Sequence, residues 1–516
     1  MPHESLNGWE EAAARKRQQC LAAIPSAWII RPTLLTPDSL GPGSGTNVME
    51  LDIPRRSGIL SSSELAITEN FTAKELLARL AAGEVTSEEV TIAFSKRAAI
   101  AQQLTNCLTE TFFDRALQRA KFLDEYLKTK KKPVGPLHGL PISLKDTFNY
   151  EGIPSTIGYI SFLKHPPATE NSALVDILLD QGAVLYVKTN LPQTIMTADT
   201  ENNIFGRTLN PLNLSLTAGG SSGGEGALVA FRGSPLGVGT DIGGSIRMPA
   251  SCCGIYGFKP TSNRIPYAGQ KSQTVRGYTP ILACAGPLCT SFDDVDLFME
   301  AVIGAKAHDY DGAVDGVPWR PIAPGEGQEE KLTIGVLAED PMFPLHPPIR
   351  RALSDAAAKL EAAGHRIVHI LQEPKYSTST SYDLISKYFA VDPTSMILQN
   401  IKDGGEPMVR SVAQKSLFGT SKPRNDTTVL ELGALNRQRD AIIDEWRKVW
   451  VKNKLDVLLA PPSQNTAVEH DTYNVVPYTK MWNLTNVSRQ YPPSTPLLAN
   501  LVLLILLAVS CSGIAF

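Results

Sequence analysis

Histidine is sparse in this chain, eight among 516 residues, and none sits in a setting that marks a catalytic base. The seven cysteines, at 20, 107, 252, 253, 284, 289 and 511, are scattered and odd in number. They form no Cys-x-x-Cys, which argues against a zinc site, a cysteine nucleophile and a disulfide framework, and they suit a reducing compartment. Basic residues are not in excess: Lys and Arg number 49 against 52 Asp and Glu, for a net charge of −3, so no basic face for nucleic acid is expected. No Gly-x-x-x-x-Gly-Lys-Ser/Thr occurs, which removes the commonest phosphate-binding loop. The first residues, MPHESLNGWEEAAARKRQQ, hold no apolar run of the kind a secretory signal needs, and the chain reads as cytoplasmic.

What is present is a globular composition, 43% hydrophobic and 20% charged, ample for a large core. Strand–helix–strand grammar recurs. Asn171 to Asn190 reads as a helix, a stop at Gly182 and a buried strand, and KLTIGVL followed by ALSDAAAKLEAAGHRIVHI repeats it. That alternation predicts an α/β fold with a large, mixed, mostly parallel sheet between helices. Ser61 and Thr86, each with a glutamate three residues on, read as helix caps. Residues 1–60 read as an N-terminal helix and connector, 61–486 as the main domain, and 308–330 as a polar surface excursion.

The most informative stretch is LTAGGSSGGEGALVAFRGSPLGVGTDIGGSIRMPASCCGIYGFKPT, residues 216–261. Glycine at this density costs backbone entropy and is kept where the chain turns sharply or approaches a ligand closely. A flexible linker is excluded by the interleaved Leu228, Val229, Leu236, Val238, Ile242, Ile246 and Ile255, which belong in a core. Serines in such turns carry an exposed hydroxyl beside rows of backbone N–H groups, the two things acyl transfer needs. Ser245 ends Asp-Ile-Gly-Gly-Ser, whose successive amides of Ile242, Gly243, Gly244 and Ser245 can converge into an oxyanion hole. Lys145, at the end of the apolar run Pro141-Ile-Ser-Leu, can be desolvated, and only a neutral lysine accepts a proton.

These residues resemble the signature block of the amidase signature family, matched almost position for position from Gly219 to Thr261. The likeness extends to GPLHGLPISLKDTF (135–148), YVKTNLPQTIM (186–196), NNIFGRTLNP (202–211) and TIAFSKRAAIAQQLTNC (91–107), and points to fungal acetamidase-like members. It covers residues 60–485. It implies a Ser-Ser-Lys triad: Ser245 as nucleophile, Lys145 as base, and Ser221, after a cis peptide bond from Gly220, as proton relay. Ser222 then supports the site from behind, and Asp241 with Arg247 forms a buried pair orienting the loop. Ile195 and Met196 are implied near the acyl group, with Gly219 and Gly220 also lining the substrate. The chemistry needs no metal or cofactor and no partner beyond a small-molecule amide, and a homodimer is admissible. Small aliphatic amides such as acetamide are the expected substrates. A specialised amide of secondary metabolism, or an inactive truncated product, is the alternative. A glutamine-using transamidation subunit is disfavoured by the LPQTIM and FGRTLNP runs.

The motif-by-motif resemblance stops at Asn486. From Leu497 to Phe516 the chain carries no charge and is long enough to cross a hydrocarbon core. Val487-Ser488 is what an in-frame splice donor encodes, so the sequence predicts that 487–516 comes from a retained intron, with a membrane anchor as the alternative. On that reading the final part of the fold is missing and the chain is poorly soluble and weakly active, while a transcript spliced after Asn486 yields a normal amidase.

Overall fold

The computed structural model describes residues 8–486 apart from 36–39, 275–280, 321–330, 393, 414–423, 425 and 474; the expectations for residues 487–516 lie outside the described residues. Helix starts follow the capping chemistry. Ser61 and Thr86 accept from the amides of Glu64 and Glu89, and the glutamates return the bond to the cap amides. Thr72 with Glu75 and Thr428 with Glu431 do the same, and were as legible in the sequence.

A six-stranded sheet runs in the order Leu108–Thr111, Val184–Thr189, Pro141–Lys145, Leu236–Asp241, Cys284–Cys289, Tyr256–Gly257. Pro141–Lys145 pairs in parallel with Val184–Thr189 and with Leu236–Asp241. Leu108–Thr111 and Cys284–Cys289 run against their neighbours, so the sheet is mixed with most strands pointing one way. The three central strands are buried along their whole length, as strands covered on both faces must be. Helices Ser87–Thr105 and Gly223–Ala230 supply part of that cover.

The second strand–helix–strand unit forms as read, Thr333–Leu337, Pro347–Ala362 and Arg366–Ile370. With Val457–Leu459 it makes a separate three-stranded parallel sheet around its own apolar cluster, which includes Leu458, Trp446 and Trp482. The N-terminal connector is packed down: Ile24, Ile30, Val48 and Ile53 join the main core. Among the described residues no helix is long and apolar enough to cross a membrane.

Position follows from this topology. In parallel strands the carboxyl ends lie on one edge of the sheet, where α/β folds bind ligands. Lys145 is the last residue of its strand and Asp241 the last of the neighbouring one, so the lysine and the loop 242–245 emerge side by side.

Candidate active site

Lys145 is fully buried. Its Nζ donates to Ser221 Oγ at 2.6 Å and to Thr240 Oγ1 at 3.0 Å. Burial pulls its pKa down to about 7, against the opposing pull of Asp241 and Glu225. A group that would be an ammonium in water is therefore available as a free amine near neutrality. Ser221 and Ser245 line the same cavity of about 410 Å³, together with Thr240, Ile242, Ile195 and Met196. The Gly220–Ser221 peptide is cis, as the resemblance implied. The spelling Gly-x-Ser-x-Gly occurs twice in residues 219–224, yet the partner that Ser221 meets is Lys145 and not a histidine.

The two serine-bearing loops are tied by backbone: the Ser222 amide donates to the Ser245 carbonyl at 3.2 Å. Ser222 Oγ lies within 3.4 Å of the Thr240 amide and carbonyl. Ser221 and Ser245 share the cavity without a direct hydrogen bond between them among the described contacts, so of the expected lysine–serine–serine chain only the Lys145–Ser221 link is present as a hydrogen bond.

Asp241 holds the loop that carries Ser245. Arg247 grips it with Nε to Oδ2 at 3.1 Å and Nη2 to Oδ1 at 3.0 Å, and the Gly244 and Ile246 amides donate to it at 2.8 and 3.1 Å. Burial would raise this carboxyl's pKa, but the guanidinium and the other donors hold it well below the usual range. Asn483 Nδ2 adds a bond to Asp241 at 3.0 Å. Replacing Asp241 with alanine strands Arg247 in the interior and releases two loop amides. Urea unfolding is expected to show a loss of about 3–5 kcal/mol.

Two expectations need correction. The four amides expected to form an oxyanion hole are not all open, because Gly244 spends its N–H on Asp241; those of Ile242, Gly243 and Ser245 have no protein acceptor among the described residues. The Gly243 carbonyl accepts from Thr479 Oγ1 at 2.7 Å, so the peptide between Gly243 and Gly244 is held at both ends. Gly244, at φ 130°, is required here: a Cβ would stand 2.4 Å from Thr479 Oγ1. Gly219 and Gly220, read as substrate-binding, do not line the cavity. They are small for packing: a Cβ would lie 2.8 Å from the Pro249 backbone at Gly219 and 2.4 Å from the Thr197 carbonyl at Gly220.

Sequence reasoning missed Glu225, Thr479 and Asn483. Glu225 is fully buried, accepts from Ser143 Oγ at 2.6 Å and Thr189 Oγ1 at 2.9 Å, and burial pushes its pKa up to about 8. Its place in Gly-Gly-Glu-Gly, an acid inside an apolar helix, was the available signal. Among the described residues no group of three His, Cys, Asp or Glu could hold a metal ion. His365 and His369 have the spacing of a helical ligand pair, but His369 lies in the extended strand Arg366–Ile370 and His365 immediately precedes it, and in extended chain that spacing spans about 13 Å.

The site thus brings together a buried amine on a serine, a second serine in the same cavity and free loop amides, with no histidine among the residues that line the cavity. The family model for amidases matches residues 89–500, running past Asn486. An amidase of Gibberella moniliformis is 40% identical over 94% of this chain and 89% of its own length. An acetamidase of Emericella nidulans is 41% identical over 94% and 87%. Among solved structures, a fatty acid amide hydrolase superposes with a TM-score of 0.86 at 36% identity, covering 93% of this chain and 82% of that one. The chain belongs to the amidase signature family, whose members hydrolyse amide carbon–nitrogen bonds.

Proposed function

We propose that this amidase converts a carboxamide to carboxylate and ammonia through an acyl-enzyme on Ser245, with Ser221 and Lys145 moving the protons. The observation that carries the reading is the 2.6 Å contact of buried Lys145 with Ser221, in a cavity that also holds Ser245. With the amine neutral, that contact runs the other way and takes the Ser221 proton while Ser221 takes the one from Ser245. Ser245 Oγ then bonds to the amide carbon. The oxyanion rests on the open amides of the 242–245 loop, a kind of stabilisation worth about 2.7–4 kcal/mol per donor. Collapse breaks the carbon–nitrogen bond as the relay returns the proton to the leaving nitrogen. Water, deprotonated along the same path, attacks the ester and frees Ser245.

Small aliphatic amides such as acetamide are the first substrate reading, supported by the acetamidase relatives and by the modest side chains of Ile195 and Met196 at the cavity. One observation favours a second reading, a larger amide. The cavity's about 410 Å³ falls in the range of about 300–1,000 Å³ typical of sites for drug-sized ligands, and Ile281, Leu282, Phe389 and Ile397 give it apolar walls. Ammonia release across straight-chain amides, from acetamide upward, separates the two. A kcat/KM that falls with chain length supports acetamide; one that rises assigns the larger amide. No ammonia from any of them would contradict both.

A further inference from the structure

Helix Pro477–Thr485 faces the nucleophile loop, and three of its side chains meet it. Thr479 takes the Gly243 carbonyl and Asn483 joins Asp241 to Arg247, with its Oδ1 accepting from Arg247 Nη2 at 2.6 Å. Lys480 makes neither kind of bond. Its stem lies flat on Gly243, with Cγ and Cε 3.5 and 3.7 Å from where a Cβ on that glycine would stand. Its ammonium sits 5.0 Å from the centre of the Tyr382 ring and 5.3 Å from that of Phe389, and Phe389 lines the catalytic cavity. The residue is only 9% exposed, and no carboxylate or hydrogen-bond acceptor holds its charge among the described residues.

The surrounding charges are already committed. Asp241 and Arg247 hold each other, and Asp383 and Lys387 pair on helix Thr378–Ala390. Asp340, whose amide meets Tyr478 Oη, accepts from the Ser379 amide, and Glu339 pairs with Arg350. Of the titratable groups packed near the ammonium, only Tyr382 touches it, through its ring face.

A buried cation is costly to keep. Aromatic faces hold one without cancelling its field, whereas a carboxylate would neutralise it. The field is then left to act on charge that develops nearby in a low-dielectric site.

We propose that Lys480 is a positioning residue of the oxyanion site: its stem sets the Gly243 backbone, and its ammonium, cradled by Tyr382 and Phe389, lends positive potential to the place where the oxyanion forms. The proposal rests on Ser245 being the nucleophile. It also gives the reaction an alkaline limb. Burial lowers the pKa of Lys480 to about 8, so the potential is present below that pH and fades above it, whereas Lys145 becomes a competent base as pH rises through about 7.

The test is the pH dependence, between about pH 6 and 10, of fluorophosphonate acylation and of kcat and KM for ammonia release, in wild type, Lys480→Met and Lys480→Arg. Methionine keeps the stem and removes the charge. The expected result is a kcat lower by about 10- to 100-fold with KM within about two-fold, loss of the alkaline limb and an unchanged acid limb. Arginine should restore most of the rate and move the alkaline limb beyond the measured range. An alkaline limb that survives in Lys480→Met overturns the proposal, as does an arginine variant impaired as much as the methionine one with equal loss of thermal stability. Undiminished labelling of Ser245→Ala would instead remove the nucleophile reading, and is scored separately.

Discussion

Replacing Ser245 with alanine should abolish fluorophosphonate labelling and lower amide hydrolysis by on the order of 10⁴- to 10⁶-fold, the loss seen when a serine hydrolase forfeits its nucleophile. The magnitude follows from what the substitution removes on the proposed mechanism: the oxygen that bonds to the substrate carbon beside the open loop amides. Folding should be nearly untouched, because Ser245 is held through its carbonyl, which accepts from the Ser222 amide, and not through its hydroxyl. Ser222→Ala is the matched control. Its hydroxyl makes only 3.4 Å contacts with the Thr240 backbone, so labelling should remain detectable. Full labelling of Ser245→Ala would show that another residue is acylated.

Lys145→Ala carries the second large effect, about 10²- to 10⁴-fold at neutral pH, the usual worth of a positioned general base. The sign of its pH dependence is fixed by burial. In wild type the folded pKa of about 7 lies below the ordinary lysine value of 10.5, so the fraction of neutral amine, and with it the rate, climbs as pH rises through about 7, up to the alkaline limb that Lys480 sets. Without the amine no such step remains. The variant should instead recover part of its activity steadily with increasing pH, as hydroxide substitutes for the missing base. A wild-type profile and a variant profile of the same shape would refute the role. Stability should move too. The unfolded chain binds this proton below 10.5 and the folded one only below about 7, so wild-type stability falls as pH drops through that window and is level beneath it. The alanine variant lacks this dependence, and its stability relative to wild type should improve from about pH 10 down to about pH 7 and no further.

Much of this site is written locally and could be read without coordinates. The serines and glycines of 219–245 lie within one loop–helix–strand passage, and Lys145 ends an apolar run, so each sits in a continuous motif that the family resemblance could match, and it was the resemblance that singled out Lys145 and Ser221. The α/β class was legible for the same reason, since the Asn171–Asn190 and Lys331–Ile370 stretches each switch period inside one window. What escaped is non-local. Nothing in YTKMWN announces that its threonine will hold the Gly243 carbonyl or its asparagine Asp241, because periodicity reports a buried face and not the loop it will meet. The loss of the Gly244 amide to Asp241 has the same origin: a motif counts N–H groups but does not say which of them a neighbouring carboxylate will claim. Gly219 and Gly220 were misread because glycine serves both ligands and tight packing, and only the nearness of Pro249 and Thr197 tells them apart.

The clamp on the Ser245 loop comes from a helix whose Asn483 lies 242 residues further along the chain than the aspartate it grips. A nascent chain leaving the ribosome therefore displays its lysine and both serines well before it can set the loop that makes them competent. At about 5–20 residues per second, that interval is roughly 10–50 seconds of synthesis. The loop's clamp is complete only once the nine-residue helix Pro477–Thr485 has docked, so activity is expected to appear only then. For anyone splitting this protein into complementing fragments, a cut between the Ser245 loop and that helix divides reactive groups from the element that arms them, and hydrolysis would then report their reunion.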